Sequence, residues 1–260
     1  MPELPDLQVF SRNLQKEVAG NKLTAIKVHV AKNLNVTAEE LQKTLLHQQL
    51  NAVKRIGKEL HFEFDNGHVL GFHLMLHGEL TLFENHDVPK FTIIEMNFSN
   101  GKGLALSDFQ KMATPTLNPD SSAAPDALSE EVNLTYFKNL FSSKTAAIKN
   151  ILLDQKLIRG IGNAYADEIL WEARISPFSL ANKIPEEKIK ILVNAIKSVL
   201  KDAEKQLLQA HPDIISGEYR EFLKIHGAKI KESPTGAEVQ VKRVGSRKTY
   251  FTNEQELFDW

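Results

Sequence analysis

The order of apolar and polar positions gives the chain two parts of different period. Over residues 6–19, Leu7, Phe10, Leu14 and Val18 recur at helical spacing, which predicts an amphipathic helix with one buried face. From about Leu23 to Leu106 the period falls to two. Ile26, Val28 and Val30, then Leu60, Phe62 and Phe64, then Leu80 and Leu82 alternate with polar residues, as half-buried strands do. Asn66-Gly67 predicts a tight hairpin between two of these strands. A short helix around Glu39 to His47 interrupts the series, and many short strands of this spacing predict a two-sheet sandwich.

Thr114 to Ser129, TPTLNPDSSAAPDALS, has no hydrophobic period and reads as an interdomain linker. Beyond it the helical period returns over 134–141 and 145–153, and again where Ile189, Leu192, Val193, Ile196, Val199, Leu200 and Ala203 form one stripe. Between them Leu152 to Pro177 reads as a helix end, a turn at Gly160-Ile161-Gly162-Asn163 and a second helix. Glycine lets the backbone turn tightly, and a helix beginning there has free N–H groups suited to a phosphate. A plain helical hairpin would use the same glycines for turning alone. After Pro212, Val239, Val241 and Val244 supply strand character around a Gly245-Ser246 turn. The fold class expected is α+β, with a domain over 1–118, a linker over 119–130, a helical domain over 131–216 and a hairpin with its tail over 217–260.

At 260 residues and 42% hydrophobic content, the chain can bury a core in each of two domains. Its net charge of −1 gives no global basic excess, so any affinity for nucleic acid must come from local clustering. Such a cluster lies near the C-terminus, where Arg220, Lys224, Lys229, Lys231, Lys242, Arg243, Arg247 and Lys248 outnumber Glu218, Glu221, Glu232 and Glu238. The chain has no cysteine, which excludes disulfides, thiolate metal sites and cysteine nucleophiles. His73 and His77 have no third ligand at metal-site spacing. No stretch approaches the ~18 apolar residues of a membrane helix, so a soluble, cytoplasmic protein is expected.

The opening, MPELPD, places proline where removal of Met1 would leave a secondary amine. A terminal amine titrates near ~8, well below an ordinary lysine near ~10.4, and its neutral fraction can attack a sugar carbon.

Three stretches together resemble the formamidopyrimidine-DNA glycosylase and endonuclease VIII family: PELPD at the start, LLDQ, GIGN and YADE in that order in the middle, and GSRKTYF near the end. The resemblance implies a catalytic β-sandwich domain and a helix–two-turn–helix domain. It implies Pro2 as Schiff-base nucleophile, Glu3 as general acid/base and Lys58 reaching the phosphates beside the lesion. It also implies that Asn163 and the Gly160 and Gly162 turn amides grip the DNA backbone, that Lys149 adds a phosphate contact, and that Arg247 binds phosphate around an extruded nucleotide. The implied partner is duplex DNA carrying damaged bases or abasic sites, the enzyme a monomer at the nucleoid without cofactor. A non-catalytic binder of damaged or branched DNA, or a lyase with little base excision, remains the alternative.

Three departures from the family pattern stand out. Asp6 replaces a longer glutamate, and Leu76 stands where a methionine fills the space left by the extruded base. In SDFQKMA, Gln110 and Lys111 take the places of a basic pair and Met112 that of an aromatic wedge, so selection of the opposite base is left open. The terminal hairpin aligns as a finger without zinc, with Glu232, Thr235, Thr252 and Gln255 at the four ligand positions and no metal expected.

Overall fold

Glu3 ends an extended approach, at φ −111° and ψ −173°, and the chain enters helix α1 over Leu4–Val18. Leu7, Phe10, Leu14 and Val18 are all buried, so the helical stripe is the face that meets the core. A computed structural model describes residues 1–84 and 87–260. It contains one compact unit of 1–121 with 207–218 and another of 122–206 with 219–260.

The first unit holds two antiparallel four-stranded sheets. The strands are β1 (Leu23–Val28), β2 (Leu50–Ile56), β3 (Glu59–Phe64), β4 (Val69–His73), β5 (Glu79–Phe83), β6 (Thr92–Phe98), β7 (Gly103–Ser107) and β8 (Thr114–Leu117). One sheet has the order β1-β6-β7-β5, the other β2-β3-β4-β8. Both sheets face a common core with the apolar side of α1, and Leu60, Phe62 and Phe64 lie in it as their alternation predicts. Gly67, at φ 82°, makes the turn between β3 and β4. The interrupting helix, α2, spans Ala38–Leu45.

Strand β8 was not expected, because it lies inside the stretch read as linker. Pro115 hides it from a propensity reading. A residue without an N–H is tolerated at the edge of a sheet, where β8 stands. The division between the units at Ser121 falls within the expected linker, but 207–218 belongs with the first unit instead of the helical domain. Isoleucines 214 and 215 pack against the sandwich core, which explains the return of this segment.

In the second unit, α3 (Leu134–Ser142), α4 (Ile148–Leu153), α5 (Asn163–Glu172) and the greater part of α6 (Glu186–Ala210) carry the apolar interior. Ile189, Leu192, Ile196, Leu200 and Ala203 of the α6 stripe are buried. The terminal hairpin pairs β9 (Gln240–Val244) with β10 (Arg247–Phe251) around Gly245, at φ 57°.

Candidate functional site

In the first unit the N-terminus is anchored by hydrogen bonds. Asp6 accepts a hydrogen bond from the Glu3 N–H at 2.8 Å, and the Glu3 carboxylate faces the Asp6 N–H in return, closing a capping box at the start of α1. The shorter Asp6 therefore has a structural task, and both carboxylates are nearly enclosed, Glu3 at 5% and Asp6 at 1% exposure. Pro2 is buried beside them, and the Met1 ammonium pairs with Glu218 of the same unit.

Lys58 sits in the turn between β2 and β3, not within a strand, directly after Gly57 at φ 60°. Arg55 ties this turn to α1 by donating from Nε to Gln8 Oε1 at 2.8 Å and from a terminal nitrogen to the Gly57 carbonyl at 3.1 Å. Burial lowers the pKa of His73, and the nearby Lys58 charge adds to the effect while Glu59 opposes it. Its Nδ1 accepts the Met75 N–H at 3.1 Å, so the neutral ring carries its proton on Nε2.

The turn after β4 and the loop after β7 stand side by side, since Glu79 of β5 pairs with Ser107 of β7. Glycine is obligatory at position 78, where a Cβ would lie 2.2 Å from the Leu74 carbonyl oxygen. Leu76, Gln110 and Met112, assigned to this region by resemblance, are all exposed.

In the second unit, Gln155 clamps the two-turn loop. Its side-chain N–H groups donate to the carbonyls of Leu153 and Ile161 at 3.0 and 2.9 Å, and its oxygen accepts the Gly160 N–H at 2.9 Å. Gly160, at φ 105°, takes a conformation that only glycine adopts without strain. Asn163 opens α5 and donates to the Lys248 carbonyl at 3.0 Å, joining the loop to the finger strand; its buried Oδ1 has no protein partner.

Lys149 is a correction. Its side chain is 0% exposed, with the ammonium 2.6 Å from Asp167 and donating to Thr249 Oγ1 at 2.9 Å and the Lys248 carbonyl at 3.2 Å. It is a buried ionic joint between α4, α5 and β10 and presents no charge to a phosphate. Asp167 also accepts from His226 Nδ1 at 2.7 Å and the Tyr250 N–H at 3.0 Å. Its neighbour Glu168 accepts the N–H groups of Lys224, Ile225 and His226 at 2.8–2.9 Å. Burial raises the Glu168 pKa, against the pull of those three donors.

In the finger segment Glu232 is exposed, and its neighbour Ser233 is buried. The centre of the cluster is Glu254, which the sequence reading missed. It accepts hydroxyl bonds from Thr235 at 2.6 Å, Thr252 at 3.0 Å and Ser233 at 3.2 Å, and the Trp171 indole N–H at 3.2 Å. Arg174 lies 3.0 Å from the same carboxylate. Gln255 accepts the Thr252 N–H at 2.8 Å. This set does not fit zinc: it offers hydroxyls in place of thiolates or imidazoles, and a guanidinium and an indole donor already converge on its one carboxylate. Among the described residues no group of three or more His, Cys, Asp or Glu is placed to hold a metal ion.

The Thr235 hydrogen bond is the largest influence holding the Glu254 pKa down to about 2, against burial and with help from Trp171, Thr252 and Arg174. A depressed carboxylate pKa stabilises the fold fully above its ordinary 4.5, and that stability fades as pH falls towards 2. Glu254→Ala, which leaves these donors unsatisfied, is expected to cost on the order of 1–3 kcal/mol. Trp171 fluorescence during denaturation measures it, and the loss of stability as pH falls below 4.5 should be smaller in the variant than in the wild type.

Arg247 begins β10 beside the hairpin tip and is exposed. The tip is closed by Arg243, which donates to the Ser246 carbonyl at 2.8 Å. Beneath the hairpin, Trp171, Ile225 and Tyr250 form a small buried cluster.

Family models match on both sides of the expected linker: the Formamidopyrimidine-DNA glycosylase N-terminal domain over residues 1–114 and the Formamidopyrimidine-DNA glycosylase H2TH domain over 123–209. The chain is 31% identical over 268 residues to the formamidopyrimidine-DNA glycosylase of Pelotomaculum thermopropionicum, covering 96% of this chain and 97% of that one. With the enzyme of the same name from Cytobacillus firmus it is 30% identical over 275 residues, 99% and 100% of the two chains. Among solved structures, the Lactococcus lactis Fpg in complex with an abasic-site-containing DNA superposes with a TM-score of 0.85 at 28% identity, covering 96% of this chain and 98% of that one. The LlFpg protein bound to a THF-DNA and an inhibitor gives 0.88 at 29% identity, over 98% and 100% of the chains.

Proposed function

Because this chain belongs to the formamidopyrimidine-DNA glycosylase family, whose members are DNA glycosylases of base excision repair, we propose that it removes damaged bases through the amine of Pro2. It is a DNA glycosylase with the abasic-site lyase activity typical of that family. The observation that carries the assignment to Pro2 is the fixed PELPD start, with Glu3 locked at a helix N-terminus next to the proline. With Met1 in place the proline nitrogen is an amide and cannot attack; removal of Met1 makes it a secondary amine.

A base within a duplex shields its sugar, so the nucleotide must first be extruded. The Pro2 lone pair then forms a bond to C1′ as the glycosidic bond breaks and the base leaves with its electrons. Glu3 protonates O4′ to open the ring and leaves an iminium at C1′. That electron sink acidifies the C2′–H, and loss of this proton expels the 3′ phosphate by β-elimination. Water then hydrolyses the iminium and regenerates the amine. Excision is tested with duplexes carrying single oxidised bases, by chromatography of the released base alongside strand cleavage. Cleavage of abasic duplex with no free base from any of them would leave a lyase only.

No helix among the described residues is long and apolar enough to cross a membrane. Acting on DNA, the enzyme works in the cytoplasm, at the nucleoid. Its finger operates without zinc, Glu254 and its donors holding the strands. Arg247 is the finger's phosphate ligand, its planar fork suited to bidentate contact. Arg247→Ala is expected to weaken duplex affinity by about 1.5–3 kcal/mol and to flatten its salt dependence by about one phosphate contact. Titrations at several salt concentrations check it, and an unchanged affinity and slope would remove the finger from the interface.

A further inference from the structure

After α6 the segment 211–218 runs back along the first unit, and its backbone is fastened there. Asn13 of α1 donates from Nδ2 to the carbonyls of Pro212 and Ile214 at 2.9 and 2.8 Å, and Ser216 Oγ accepts the Leu80 N–H of β5 at 3.0 Å. Gly217, at φ 93°, turns the chain directly after that anchor. Glu218 comes next, and its carboxylate pairs with the Met1 ammonium. The carboxylates of α1 and its cap are tied to backbone N–H groups beside the terminus, Asp6 to that of Glu3 and Glu3 to that of Asp6. The carboxylate that meets the terminal amine is supplied by Glu218, 217 residues along the chain.

We propose that Glu218 is the base that takes the protons from the Pro2 amine once Met1 has been removed. The proposal rests on the Pro2 reading above. Three bonds separate the Met1 nitrogen from that of Pro2, a displacement of no more than about 4 Å, and the Glu218 side chain, 38% exposed, has room to follow it. A charged Pro2 nitrogen carries two protons. The first must leave to free the lone pair that bonds to C1′. The second must leave once that bond has formed, so that the nitrogen electrons can make the C=N bond while the C1′–O4′ bond breaks. Glu3 gives its proton to O4′ and takes neither. Glu218 accepts the first, passes it to the solvent it faces, and accepts the second. The same ion pair also favours the charged amine, which opposes attack by about tenfold at most in such a half-exposed place. A positioned base contributes roughly 10²–10⁴-fold, so its assistance outweighs that cost.

The test is the single-turnover rate of cyanoborohydride trapping on an abasic-site duplex as a function of pH, for wild type, Glu218→Gln and Glu218→Asp that have all lost Met1, with each adduct mapped by mass. At about pH 6.5 Glu218→Gln should form the Pro2 adduct roughly 10²-fold more slowly than wild type, and the deficit should shrink as pH passes the ordinary value of a terminal amine near ~8, where the first proton leaves unaided. Glu218→Asp, which keeps a carboxylate, should recover part of the rate. Duplex affinity should not fall in either variant, since no phosphate contact is removed, and thermal melts check folding. Trapping by Glu218→Gln at the wild-type rate near neutral pH, or slowed by the same factor at every pH, would overturn the base role. The two readings fail separately: a wild type with no adduct on Pro2 overturns the Pro2 assignment and this proposal with it, whereas a wild-type Pro2 adduct with unchanged kinetics in Glu218→Gln overturns the role of Glu218 alone.

Discussion

Glu3→Gln is expected to slow iminium formation and strand cleavage by roughly 10²–10⁴-fold while leaving duplex affinity near the wild-type value. The substitution is nearly isosteric, and its amide oxygen can still accept the Asp6 N–H, so the capping box that fixes the N-terminus survives. What is lost is the proton that opens the sugar ring and the base that later receives one. Single-turnover cleavage and equilibrium binding, measured on the same abasic duplex, separate the two effects. A variant that cleaves at the wild-type rate would move the acid/base role to another residue.

Lys149→Ala is expected to destabilise the second unit by about 3–5 kcal/mol, because it strands the buried Asp167 carboxylate without its ammonium partner. His226 Nδ1 and the Tyr250 N–H still contact Asp167, but neither supplies a fixed positive charge. Loss of this joint should loosen β10 from α4 and α5, and with it the hairpin that presents Arg247. Replacing both partners with apolar residues, Lys149→Met with Asp167→Leu, should recover part of the loss, since no buried charge is then left unpaired. Thermal and chemical denaturation check both. If Lys149→Ala melts like the wild type but binds DNA less well, its ammonium is a phosphate ligand after all.

Regular periodicity was legible in the sequence because it reports a local geometry. The α1 stripe, the alternation in β3 and the Asn66-Gly67 turn all appear where the pattern puts them. Strand β8 escaped because Pro115 argues against a strand and only edge placement makes it acceptable. The return of 207–218 to the first unit escaped because it depends on contacts with residues far away in the chain.

The site divides along the same line. The capping box at Glu3 and the turn at Gly160 follow from local sequence, since each conformation depends on immediate neighbours. Lys149, Asp167 and Glu168 could not be placed in this way, because a charged residue on a helix reads as a solvated face until its partners are known. In the structure all three are buried and bind the finger segments, each within hydrogen-bonding distance of its partners. Two adjacent acidic residues within YADE, on a helix whose other residues are mostly apolar, were the one available signal. Glu254 is a similar case: alignment on the four ligand positions directed attention to Glu232, Thr235, Thr252 and Gln255, while Glu254, two residues after Thr252, collects the donors.

Borohydride reduction tests the role of the Pro2 nitrogen most directly. Wild-type protein shown by mass to have lost Met1 is mixed with an abasic-site duplex and reduced, and the adduct is mapped by digestion. One covalent adduct per chain is expected, on the peptide that begins with Pro2, and protein retaining Met1 should give none. An adduct carried by Lys58, or no adduct from correctly processed protein that still binds the duplex, would contradict the assignment of Pro2 as nucleophile.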